Sequence, residues 1–144
     1  MSHYAFRLRL PQTFVLLTLL SGTMYAQRCH EGTITGKYSF SITGLRPAAS
    51  APGQLEQVIA VGVRDFDGMG GYTQVMTEKG SLTAAAVVDA PGSGTYTVNR
   101  DCTGTFTSAA GFQSRFVIQD NGKEIRWIVV TPSVVTVAAH AVRQ

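Results

Sequence analysis

Asp65 and Asp67 stand two apart at the end of an alternating apolar segment, so in a β-strand they share one face. Paired carboxylates of this kind serve acid/base catalysis or hold calcium. Their position favours a plainer role, because an Asp at a strand end accepts hydrogen bonds from its own turn. His30 and His140 lie at opposite ends of the chain, without an i, i+4 partner or a nearby Cys or Glu cluster. No metal site is expected from them. Gly68-Met69-Gly70-Gly71 has the composition of a phosphate loop but lacks the following helix and Lys, and is read as a turn. No Gly-x-Ser-x-Gly elbow occurs, so hydrolase chemistry has no support, no cofactor is expected, and no catalytic residue is assigned.

The two cysteines, Cys29 and Cys102, are expected to form one disulfide that ties the start of the domain to its interior. Closing a loop of about 70 residues, it would contribute about 2–4 kcal/mol by constraining the unfolded chain. The alternative, a reactive thiol at Cys102, would need a histidine close by.

The aromatic residues carry the remaining chemical hint. Tyr38, Phe40, Phe66, Tyr72, Tyr96, Phe116 and Trp127, with Phe106 and Phe112, recur at positions that face inward along strands. They form either a plain core or the lining of a cavity for a flat or fatty apolar molecule. Arg64 shares the Phe66 face and would balance an acidic group on such a ligand, although an arginine at a strand end is expected to reach outward into solvent.

These residues need strands to position them. Apolar and polar residues alternate with period two, and Gly, Pro, Asn and Asp interrupt at short intervals. Strands are expected at 34–43, 56–66, 72–78, 81–89, 95–99, 105–109, 112–119, 124–130 and 134–142. A loop is expected from Gly44 to Gly53, a turn at Pro91 to Gly94, and a two-residue type I′ hairpin at Asn121-Gly122. This meander of eight or nine strands without a crossover helix is all-β, and a single antiparallel up-and-down barrel of about eight strands removes its exposed edges. An immunoglobulin-like sandwich is the competitor, but no Trp lies between Cys29 and Cys102.

Residues 1–26 read as a signal peptide: Arg7 and Arg9 precede an apolar run from Phe14 to Leu20, and Ser21, Gly22 and Ala26 lead to a cleavage site. Met24 stands where a small residue is preferred, which leaves an uncleaved anchor as the alternative. Cleavage leaves one domain, residues 27–144, secreted or periplasmic and without stable membrane insertion. Removing Arg7 and Arg9 from the 12 Lys and Arg leaves 10 against 9 Asp and Glu, scattered singly. That distribution lacks the basic stripe that nucleic acid requires. The remaining partners to consider are a small hydrophobic ligand or a protein; composition does not fix the oligomeric state.

Phe66-Asp67-Gly68-Met69-Gly70, Gly94-Thr95-Tyr96-Thr97-Val98, Asp101-Cys102-Thr103-Gly104-Thr105, and Gly36-Lys37-Tyr38-Ser39-Phe40 after Cys29 together resemble small secreted bacterial proteins with an allene-oxide-cyclase-like barrel. The resemblance spans most of residues 29–131 and implies a calycin-like barrel. Plant allene oxide cyclases share that fold and cyclise an unstable fatty-acid epoxide, but none of their catalytic positions carries over. Three expectations follow: a non-enzymatic exported barrel binding a small hydrophobic molecule or a protein, a cofactor-independent cyclase or isomerase, and an envelope interaction module.

Overall fold

The computed structural model describes residues 28–144, so the signal-peptide expectation lies outside the described residues. Eight antiparallel strands follow one another around a closed barrel: β1 (Thr35–Pro47), β2 (Leu55–Asp67), β3 (Gly71–Gly80), β4 (Val87–Val98), β5 (Thr103–Ser108), β6 (Gln113–Gln119), β7 (Glu124–Thr131) and β8 (Thr136–Arg143). The ring closes by β1 pairing with β8, from Tyr38 opposite Arg143 to Leu45 opposite Thr136. Strand-by-strand alternation explains the closure. Even-numbered residues of β1 to β6 and odd-numbered residues of β7 and β8 point inward, and burial follows that phase.

Three local expectations are corrected by packing between distant strands. The segment from Gly44 to Pro47 is strand rather than loop, and only residues 48–54 connect β1 to β2. Gly44 is there for space: a Cβ would lie 2.6 Å from Val137 Cα on β8. Arg46 then sits opposite Glu56 in register and pairs with it.

The strand expected at 81–89 and the turn expected at Pro91 to Gly94 are reversed. Residues 81–86 form the connection, and β4 runs through Pro91, Gly92, Ser93 and Gly94. β5 pairs with Gly94–Val98, which leaves the first half of β4 without a neighbouring strand on that side among the described residues. Pro91, lacking an N–H, is tolerated at such an edge. Gly92 and Gly94 make room for β3 side chains, since a Cβ on Gly94 would lie 2.5 Å from Tyr72 Oη.

The hairpin at Asn121-Gly122 uses four residues, Asp120 to Lys123, between the paired Gln119 and Glu124. Asp120, Asn121 and Gly122 all have positive φ, 45°, 56° and 83°. The buried Gly122 abuts the Thr33 backbone and its carbonyl accepts from Tyr38 Oη, so the longer turn is shaped by the N-terminal segment beneath it.

That segment closes one end of the barrel. Cys29 is disulfide-bonded to Cys102. His30 caps a 3₁₀ turn, Glu31–Thr33, by accepting from the Gly32 N–H, and Ile34 is fully buried behind it. Tyr96 Oη donates to the carbonyls of Glu31 and Ile34, and Arg143 donates to Tyr38 Oη and the Thr33 carbonyl.

Candidate functional site

The opposite end is open. There the barrel interior holds a cavity of about 780 Å³, within the range of small-molecule sites. Its walls are mostly aliphatic, including Ile42, Val58, Ala60, Met76 and Val137, and Phe112 stands at the rim, 43 % exposed. Phe106, Tyr72 and Trp127 form its floor.

The expected pocket residues divide by depth. Arg64, Tyr72 and Trp127 line the cavity. Tyr38, Phe40, Phe66, Tyr96 and Phe116 do not; they are buried among the packed aromatic rings toward the closed end. The rings fill that half because they meet edge to face and in stacks, as in Phe66 against Tyr96 at 5.2 Å and Phe106 against Phe116 at 4.2 Å between centroids. The cavity begins where the inward residues become small or aliphatic.

Arg64 corrects the expectation of an outward strand-end side chain. It occupies an inward position of β2, is 6 % exposed, and lies over the floor, with Cζ 4.3 Å from the Tyr72 centroid, 4.8 Å from Phe106 and 4.9 Å from Trp127. These faces attract the cation and offset part of its desolvation. Nε and Nη2 both donate to Gln74 Oε1, at 3.0 and 2.6 Å. Nη1 is buried with no hydrogen-bond partner among the described residues. Burial pushes the guanidinium down to about 10, so it remains charged at neutral pH, and no carboxylate pairs with it among the described residues.

The rim arginine is different. Arg46 donates from Nε to Glu56 Oε1 at 3.0 Å and from Nη1 to Glu78 Oε1 at 2.8 Å. Glu56, 1 % exposed, also accepts from the Leu82 N–H and the Thr83 hydroxyl, which fastens the β3–β4 connection to the mouth. Burial opposes ionisation of Glu56, but Arg46 and these two donors outweigh it and hold the carboxyl below its ordinary value. The charge of Arg46 is thus answered, and that of Arg64 is not.

The other candidate groups lie elsewhere. Asp65 and Asp67 point outward from β2, and Asp67 Oδ1 accepts from the Met69 and Gly71 N–H groups, which hold its carboxyl low. His140 faces outward beside Glu124, 3.3 Å away. Among the described residues no three His, Cys, Asp or Glu gather as metal ligands. A second concavity, about 760 Å³, lies along the outer wall of β6, β7, β8 and β1 beside Arg115, Arg126 and His140.

Gln74, Ser114 and Glu56 were missed as inward polar residues. The signal was available: Gln74 falls in phase with Tyr72 and Met76, and Ser114 with Phe116 and Ile118.

No protein-family model and no curated protein matches the chain. Among solved structures, a redesigned β-barrel is similar over 79% of this chain and 94% of its own, with 14% identity and a TM-score of 0.47.

Proposed function

We propose that this chain is an exported, non-enzymatic β-barrel, residues 27–144 after removal of a leader at 1–26, that takes a small hydrophobic molecule into its open end. The observation that carries this reading is the cavity of about 780 Å³ above an aromatic floor, in a barrel whose other end is plugged. An eight-stranded barrel either fills its interior with side chains or holds one small ligand. Export is supported by the Cys29–Cys102 disulfide, and no helix among the described residues is long and apolar enough to cross a membrane.

A cofactor-independent cyclase or isomerase resembling allene oxide cyclase is the second reading. One observation favours it, the buried Arg64 at the cavity floor, because a fixed cation stabilises charge that develops in a bound substrate. Its weakness is the missing base: Asp65 faces outward, and Glu78 at the rim is paired with Arg46.

The test is to express the full chain through its own N-terminal segment into an oxidising compartment and to measure the purified protein's mass, native and denatured. The chain is expected to begin at Gln27. Trp127, the one tryptophan of the sequence, then reports occupancy. Titration with phenylbutanol, a neutral apolar probe, is expected to shift its emission saturably, and Ala60→Phe to weaken that binding by filling the wall. An unchanged emission, with no bound molecule in the native mass, would overturn the binding reading.

A further inference from the structure

Among the described residues, Arg64 is a buried charge that the fold does not answer with an opposite one. The two half-buried Arg and Lys side chains among these residues both have acceptors: Arg46 has Glu56 and Glu78, and Lys79 donates to the Thr83 and Ala84 carbonyls. Arg64 is more buried than these, yet its sole hydrogen-bond acceptor is the neutral amide oxygen of Gln74, and Nη1 has none among the described residues. A guanidinium removed from water in this way is under-satisfied, and a planar anion with two oxygens is its natural complement.

We infer that the cavity is selective for an apolar carboxylic acid, bound with its carboxylate down against Arg64 and Gln74 and its apolar body toward the mouth. This rests on the binding reading above and names the ligand class for the same site. Three observations fix the details. The cation and the buried hydroxyl-bearing Ser114 line the cavity, whereas the walls above are Ile42, Val58 and Val137. A single uncompensated positive charge suits a monoanion, since a phosphate dianion would leave one negative charge buried and unpaired. The mouth carries Glu56 and Glu78 against one arginine, Arg46, so an anionic head is repelled there and stabilised at the floor.

Matched probes test this. Phenylbutyrate and phenylbutanol differ in the charged head and share the apolar body. By calorimetry at neutral pH, the acid is expected to bind about tenfold or more tighter than the alcohol, the margin a hydrogen-bonded charge confers. In Arg64→Met the acid-to-alcohol ratio is expected to fall to about one. Gln74→Glu serves as the second variant, because it keeps Arg64 and the local shape while supplying an internal carboxylate; the ratio is expected to collapse there too.

Orientation is read from Trp127, whose ring lies 4.9 Å from Arg64 Cζ. Phenylbutyrate brominated beside the carboxylate is expected to quench it more strongly than the acid brominated at the far end of the ring. Equal affinity for acid and alcohol would overturn the acid selectivity while leaving the binding cavity intact. A preference that survives both variants, or the reverse order of quenching, would likewise overturn it. Binding of neither probe would overturn the cavity reading as well.

Discussion

Gln74 Oε1 accepts two hydrogen bonds from the Arg64 guanidinium, at 3.0 Å from Nε and 2.6 Å from Nη2, inside the barrel wall. Gln74→Leu removes the acceptor and keeps a side chain of similar size, leaving a buried cation with aromatic faces alone. The expected cost is about 1–3 kcal/mol of folding stability, read from urea unfolding. The paired variant Arg64→Met with Gln74→Leu removes charge and acceptor together, and is expected to recover part of that loss. A double variant less stable than Gln74→Leu would show that the stack on Tyr72, Phe106 and Trp127 outweighs the burial of charge.

The Cys29–Cys102 bond joins the N-terminal segment to the β4–β5 turn, 73 residues apart in sequence, outside the ring of eight strands. Replacing both cysteines by serine is therefore expected to lower stability by about 2–4 kcal/mol, because the unfolded chain loses its cross-link. The eight-strand hydrogen bonding is expected to persist. Amide exchange checks both points: protection should fall first in residues 28–34, while β1 and β8 exchange at the global rate.

Alternation made much of the architecture legible. Tyr38, Phe40 and Ile42 fell in phase with Ile34, so the faces of β1 were readable residue by residue, whereas the continuous apolar run at 58–63 hid the phase of β2 and left Arg64 read as outward. The errors came from Gly and Pro residues whose roles are set at long range. Gly44 and Gly94 look like turn residues locally, yet each is small because another strand's backbone or ring occupies the space of its Cβ. Pro91 marks an unpaired edge, which depends on where β5 ends, with Ser108 opposite Gly94. The site was legible in type but not in depth. Composition gave the aromatics and Arg64 a common face, but only the ring packing shows that Tyr38, Phe40, Phe66, Tyr96 and Phe116 fill the closed half and that Gln74 shares the cavity with Arg64.

Glu56 predicts an acid limb of instability. Its folded carboxyl sits below the ordinary 4.5, and that of Asp67 below 3.8. A depressed carboxyl gives stability that is complete above the unfolded value and is lost as the pH falls through the folded one. The urea midpoint is therefore expected to be level from neutral pH to near 4.5 and to decline below it. Glu56→Gln is expected to lower the midpoint at neutral pH, since Arg46 and the Leu82 and Thr83 donors lose their anion. The gap between variant and wild type should narrow as acid protonates Glu56. A constant gap across that range would show that shape, and not charge, holds the β3–β4 connection.

The three tyrosines of the domain, Tyr38, Tyr72 and Tyr96, predict the alkaline limb. Burial raises all three phenols above 10.0, against the smaller opposing pull of Arg143 on Tyr38 and of Arg64 on Tyr72. A raised phenol contributes stability that is present below the unfolded value and is lost as the pH climbs through the folded one. Arg64 acts in the opposite sense above about 10, where the folded state releases a proton that the unfolded chain retains. The phenols lower stability as the pH passes their unfolded value, and Arg64 opposes that loss. Phenolate absorbance is therefore expected to stay flat through 10 in the folded protein and to rise abruptly as the barrel unfolds, whereas the chain in denaturant should titrate smoothly near 10. A reversible folded-state step near 10 would mean that at least one of these hydroxyls is open to water, and Tyr72, at the cavity floor, would be the first to examine by Tyr72→Phe.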